Sequence, residues 1–368
     1  MILSKDILKF GAIILFWFLL VASAITFTIH YLPFTPTFPY YNQDLASLYS
    51  RFWSTFAHFD GIHYLRIASS GRYPDGGEVA FFPLYPFLIH GLINVGVDRL
   101  VAGILISVIS LILSILIFSH LYYRSNWKFT LLLLTFPMSF FFAVVYTESL
   151  YLLLFALMLF FIKQQKYWLA SVVVALSTAT RFVGVGMVLY LVISIWGRIK
   201  LKQIIGVILV SLSGLIGYMG YLWQTIGDPL AFVHVQPTFG MGRSGGEIIL
   251  LPQVLFRYAK MLYLASPDSL VYWRAAAEII IFLLLAYVLL KVWRRLSRAE
   301  LIYTLAVLLI PTLSGTLSSY PRYALAAIPL FAVVAESLST KQVFGIALVQ
   351  SSLLVLALVL FTQGFFVA

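Results

Sequence analysis

Asp60 stands between two imidazoles in His58-Phe59-Asp60-Gly61-Ile62-His63, the densest chemistry in the sequence. A carboxylate followed by a glycine, where the backbone can turn tightly, suits a positioned general base. The same His and Asp spacing suits a divalent metal, and an interfacial loop whose polar groups merely hydrate fits it too. Glu148, in Tyr146-Thr147-Glu148-Ser149, is the lone acid of a 34-residue apolar run over 129–162. Such a charge is costly in lipid unless it meets water or a partner. A cap at Thr147 with Glu148 in the first helical turn is compatible with a functional role. Arg181, closing Thr178-Ala179-Thr180-Arg181, offers forked donors to a phosphate or snorkels at a helix end. Ser318-Ser319-Tyr320-Pro321-Arg322-Tyr323 sets Arg322 between two tyrosines, as a second phosphate or sugar contact or as an aromatic belt with its anchor. Gly227-Asp228-Pro229-Leu230-Ala231-Phe232 reads as a turn, with His234 and Gln236 after it as candidate ligand contacts. No Walker loop, Rossmann fingerprint or HExxH helix is present, so cytosolic nucleotide chemistry has no support. Without cysteine, disulfides, thiolate metal sites and cysteine nucleophiles are excluded.

The elements that must position these residues are apolar helices. Of the 368 residues 62% are hydrophobic and 10% charged, against about a quarter charged in a soluble domain. Runs near the length of a membrane span recur to the end, which predicts an all-α polytopic membrane protein. Ile7 to Ile29 is a retained first helix rather than a signal peptide. The 129–162 run would be about 51 Å long as one helix, too much for a core of about 30 Å. It must break at residues 146–149, as 167–197 must break near Ser177 to Arg181. Spans at 99–122, 203–225, 277–293, 300–317, 322–338 and 342–366 bring the expected total to eleven. The layout is then a first helix (1–30), an outer loop with a juxtamembrane helix at 81–97 (31–97), a transmembrane module (98–225), a second outer loop (226–276) and C-terminal spans (277–368).

Charge checks this threading. Lys5 and Lys9 put the N-terminus inside by the positive-inside rule. Fourteen basic residues, Arg124 among them, then fall inside against Asp6, Glu300 and Glu336, which is the whole net charge of +11. A nucleic-acid partner is not needed to explain it. A full span at 80–97 would invert every later loop and destroy the asymmetry, so that segment is expected to lie in the interface. Most carboxylates fall on the outer side, where a reaction is to be sought.

On these residues the chain resembles a multi-pass glycosyltransferase of the GT-C class. More specifically, it resembles the PIG-V-type family, that of the second mannosyltransferase of GPI-anchor assembly, and its prokaryotic relatives. The motifs are Phe59-Asp60-Gly61-Ile62-His63-Tyr64 with Gly71-Arg72-Tyr73, then Ala80-Phe81-Phe82-Pro83-Leu84-Tyr85-Pro86. Tyr146 to Leu150, Ala179-Thr180-Arg181, Gly227 to Phe232 and Pro321-Arg322-Tyr323 follow in the family's order. The family often has tryptophan where Phe59 stands. The resemblance implies a GT-C-like bundle and transfer of a sugar, usually mannose. The donor would be polyprenyl- or dolichyl-phosphate sugar and the acceptor a glycan, glycolipid or protein. It maps the family's aspartate to Asp60. Catalysis would take place on the extracytoplasmic or lumenal face of a cell membrane, or of the ER membrane in a eukaryote.

Under that chemistry a lipid-phosphate leaves as an anion, so one carboxylate suffices to take the acceptor proton with inversion. Glu148 would orient the substrate, and Arg181 and Arg322 would offset phosphate charge. His63, Tyr64, Arg66, His234 and Tyr323 are the remaining candidate contacts. The leaving group demands no metal, and none is assigned as cofactor, though His58 and His63 keep a divalent ion in view. A lipid-linked-sugar transporter or flippase is the alternative. It predicts midplane charges and an inverted repeat, and no repeat is visible. A non-catalytic assembly subunit predicts that Asp60→Asn is silent.

Overall fold

The computed structural model describes residues 2–73, 76–121, 126–240 and 242–367. Arg124, counted above among the inner charges, lies outside them. Among the described residues every regular element is helical and no strand occurs. Five helices there are long and apolar enough to cross a membrane: Leu8–Tyr31, Arg99–Leu121, Leu201–Ile226, Val271–Arg295 and Thr340–Thr362. That is the signature of an integral membrane protein. It also corrects the expected eleven spans to five.

Backbone punctuation explains the difference. Asn126–Thr135 stops just before Phe136-Pro137, since the residue preceding a proline is driven out of the helical region. An irregular stretch with one 3₁₀ turn, Ser139–Phe142, follows before Glu148–Lys163 begins. The break expected at 146–149 therefore opens ten residues earlier. The 167–197 run divides where expected, into Tyr167–Thr178 and Val185–Ile195 joined by a 3₁₀ turn. Arg298–Leu309 passes into a 3₁₀ turn containing Pro311, and Ile328–Ser337 has only ten residues. At 1.5 Å per residue these helices measure roughly 15–24 Å, short of a bilayer core of about 30 Å. The 81–97 stretch holds one helix, Leu84–Ile93, likewise too short to span. The span placed at 277–293 begins earlier, at Leu270, because the Ser269 hydroxyl caps it by accepting from the Tyr272 N–H at 3.2 Å.

The helices form two compact units. The first comprises residues 2–73, 83–163 and 331–367. In it Arg99–Leu121 packs on Glu148–Lys163, Ile2–Tyr31 on Thr340–Thr362, and Asp60–Ser70 on Leu84–Ile93. Small residues face inward along Arg99–Leu121: Ala102, Gly103, Ser107, Ser110 and Ser114 are buried, which lets the backbones approach closely. The second unit comprises residues 76–82 and 164–330. There Leu201–Ile226 packs on Tyr167–Thr178, and Arg298–Leu309 on Val185–Ile195. Gly214 makes the first contact feasible, because a Cβ on it would stand 2.0 Å from the Ala175 carbonyl oxygen.

Candidate functional site

In the first unit the Asp60 turn is held from several sides. Phe59 has φ 55° and ψ −116°, a region costing a residue with a side chain about 1–3 kcal/mol. Tyr146 offsets that cost, its hydroxyl accepting from the Asp60 N–H at 3.1 Å and donating to the His58 carbonyl at 3.0 Å. Beside it the Val145 N–H donates to the Phe56 carbonyl at 2.8 Å. The bend that leads into Glu148 is thus bonded to the turn before Asp60. Gly61 permits the fit, since a Cβ there would already touch Ala57 at 3.3 Å and the Val145 carbonyl oxygen at 3.4 Å.

Each carboxylate opens a helix. Asp60 begins Asp60–Ser70 and Glu148 begins Glu148–Lys163, so both meet the positive end of a helix dipole. They differ in environment: Asp60 is half-buried, whereas Glu148 is only 3% exposed. Glu148, with Tyr64, lies within electrostatic reach of Tyr85. The Tyr85 hydroxyl donates to the Gly103 carbonyl at 3.0 Å and sits 2.8 Å from the Ser107 hydroxyl. Tyr64 is buried with its ring edge-on to Tyr85, centroids 5.2 Å apart.

Along Asp60–Ser70 the half-buried residues are Asp60, His63 and Arg66, three apart and so on one face, while Gly61, Ile62, Tyr64, Leu65, Ile67 and Ala68 are buried. His63 stands edge-on to the Tyr40 ring at 5.9 Å. Arg66, expected as a substrate contact, is instead engaged by the protein. Its guanidinium lies 3.9 Å over the Tyr40 ring and 3.0 Å from the Asp44 carboxylate, which also faces Arg99 at 3.5 Å. The cluster brackets the Tyr41–Ala46 segment against the helix.

His58 does not join Asp60 as a ligand pair. Its ring is fully buried among Phe34, Phe38, Tyr41, Phe59 and Phe361. Nδ1 lies 3.1 Å from the Phe361 carbonyl oxygen, which can only accept, so that nitrogen carries the proton. Nε2 is buried with no hydrogen-bond partner. Burial pushes the imidazole down to about 4, with the Phe361 carbonyl opposing and Arg51 adding slightly. Among the described residues no three His, Asp or Glu side chains are grouped to hold a metal.

In the second unit Arg181 and Arg322 converge. Their guanidinium carbons lie 5.2 and 5.9 Å from the centroid of the same Tyr323 ring. Arg181 comes from the extended residue between Tyr167–Thr178 and the next 3₁₀ turn, and Arg322 from the short helix Tyr320–Tyr323. Arg322 is 8% exposed. Ser319 precedes it at φ 65°, a conformation that turns the chain sharply. Sequence reasoning passed over the residues that fix this turn. Arg243 reaches the Ser319 hydroxyl at 3.3 Å, and Arg274 reaches Ser318 at 3.1 Å and Glu278 at 3.1 Å. Their signal was available, because an arginine in an outer loop of so apolar a chain invites a search for its partner. Glu78, buried within Gly76–Ala80, was also passed over.

His234, expected to contact a ligand, pairs with Asp228 at 2.7 Å. That bond, helped by the Leu230 N–H, holds the Asp228 carboxyl below its usual range. The Leu230 N–H to Asp228 Oδ1 bond, 2.9 Å, makes the turn read from composition. Phe232 at its end packs on Phe82 and Tyr218, and the Tyr218 hydroxyl donates to the Val79 carbonyl at 2.6 Å. A cavity of about 720 Å³ lies among Lys166, Trp168, Arg198 and Gln203. It contains none of the candidate residues. No family model, curated protein or solved structure matches the chain.

Proposed function

We propose that the chain is an inverting glycosyltransferase, resembling the GT-C class, that moves a sugar from a polyprenyl-phosphate donor to an acceptor hydroxyl outside the cytoplasm. The observation carrying this reading is the Tyr146 hydroxyl, bonded on both sides of the strained Phe59 turn that presents Asp60. A backbone held in an uncommon conformation beside a half-buried carboxylate supports a role for Asp60 as a positioned base.

Asp60 takes the acceptor hydroxyl proton while that oxygen attacks the anomeric carbon. The bond from the anomeric carbon to the phosphate oxygen breaks, and polyprenyl phosphate departs with the electron pair. Glu148, buried at the start of Glu148–Lys163, orients the acceptor or the sugar. Arg181 and Arg322, sharing Tyr323, supply fixed positive charge to a phosphate. His63 and Tyr64 are the further sugar contacts. Mannose is the sugar favoured by the resemblance, and the acceptor is a glycan, glycolipid or protein. The test is purified protein in lipid vesicles with polyprenyl-phosphate-mannose and a panel of acceptors. Formation of a glycosylated product with inverted anomeric configuration supports the proposal. Movement of the donor between leaflets with no product from any donor would support a flippase instead.

A further inference from the structure

The segment 248–267 in the second unit carries Arg257 and Lys260 and no acidic residue. Its helix, Leu251–Leu264, has fourteen residues, about 21 Å, too short to cross a bilayer. Its inner face is Val254, Leu255, Tyr258 and Leu262, buried or half-buried at helical spacing. Its outer face is not the polar face of an ordinary surface helix. Phe256, Lys260, Tyr263 and Leu264 project there, with Phe256 70% and Tyr263 88% exposed, and Ile248 and Leu250 are exposed just before it. Large aromatic and aliphatic side chains around one long cation are the composition of a helix seated in a bilayer interface.

We infer that the outer face of Leu251–Leu264 docks on the membrane, lying in the headgroup and upper acyl region with Lys260 directed to lipid phosphates. The occupant is lipid because the surface is continuous with a span. Leu251–Leu264 packs on Leu270–Val292, which exposes Trp273, Ile280, Leu283 and Leu290 and is one of the five membrane-length helices. The inner face also ties membrane seating to the Arg322 turn. Arg257 donates to the Gly315 carbonyl at 3.1 Å, and the Tyr258 hydroxyl accepts the Leu317 N–H at 3.0 Å and bonds Glu278. The depth of this helix therefore sets the depth of Ser319 and Arg322.

Because the chain has no cysteine, single-cysteine variants report cleanly. Tyr263→Cys, Leu283→Cys and Asp268→Cys are labelled with an environment-sensitive fluorophore in bilayer nanodiscs, each checked for unchanged thermal stability. The Tyr263 label should be quenched at least about threefold more by spin-labelled headgroups than by spin labels near the chain ends, as expected for seating about 5–10 Å deep. The Leu283 label should show the reverse preference and the Asp268 label should respond to aqueous iodide. A Tyr263 label quenched by iodide as strongly as the Asp268 label would overturn the inference. So would quenching chiefly from the chain ends, or protection from all three quenchers with cross-linking to a second copy.

Discussion

At the scale of residues, two side chains beside the candidate base make separate predictions, one for stability and one for the turn that carries Asp60. His58 is neutral in the fold because burial lowers it from its ordinary 6.5 to about 4. In the unfolded chain it takes up a proton near 6.5, so between those values the unfolded state binds more protons. Stability is then full above about pH 6.5 and falls as pH drops towards 4, by about 3 kcal/mol in all. Denaturation midpoints at pH 7 and pH 4.5 should show this loss in the wild type and a smaller one in His58→Phe. An equal loss in both would remove His58 as its source. Tyr146→Phe deletes the hydroxyl that serves the Asp60 N–H and the His58 carbonyl, costing about 1–3 kcal/mol for the buried groups left unserved. The variant should also lower kcat more than KM. A variant with wild-type kcat would mean that the Phe59 turn holds its shape without the tyrosine. The sequence made Asp60 and Glu148 conspicuous as charges in an apolar chain, but the turn that presents Asp60 depends on Val145 and Tyr146 bonding to residues nearly ninety positions away. No spacing rule reports that.

At the scale of elements, helix breaks do the positioning. Glu148 and Asp60 start helices, Arg181 sits in an extended link between two helices, and Arg322 lies in the four-residue helix Tyr320–Tyr323. Apolar periodicity locates such runs but not their ends, because a long apolar run and two short helices have the same composition. Pro137 and Ser269 were the local signals that fixed the ends at 135 and 270, and charge counting alone could not weigh them. The fate of Arg66 and His234 was equally hidden, since Asp44 and Asp228 are ordinary loop residues until the fold pairs them. Close packing of Leu201–Ile226 on Tyr167–Thr178 depends on Gly214. Gly214→Leu should force the pair apart and cost about 1–3 kcal/mol or more, read as a lowered midpoint of thermal unfolding. An unchanged midpoint would show that the helices separate without penalty.

At the scale of the whole chain, composition made the helical, membrane-embedded class legible, and five membrane-length helices agree with it. The first unit carries the carboxylate proposed to take the acceptor proton, and the second carries two arginines against one tyrosine ring. The centre of the proposed chemistry is Asp60. The most direct test is initial-rate transfer from polyprenyl-phosphate-mannose by purified wild type and Asp60→Asn, with matched thermal stability and donor binding. Loss of a positioned base predicts a fall in kcat of about 10²–10⁴-fold with donor affinity nearly unchanged. Transfer by Asp60→Asn at the wild-type rate would contradict the assignment of Asp60 as the base.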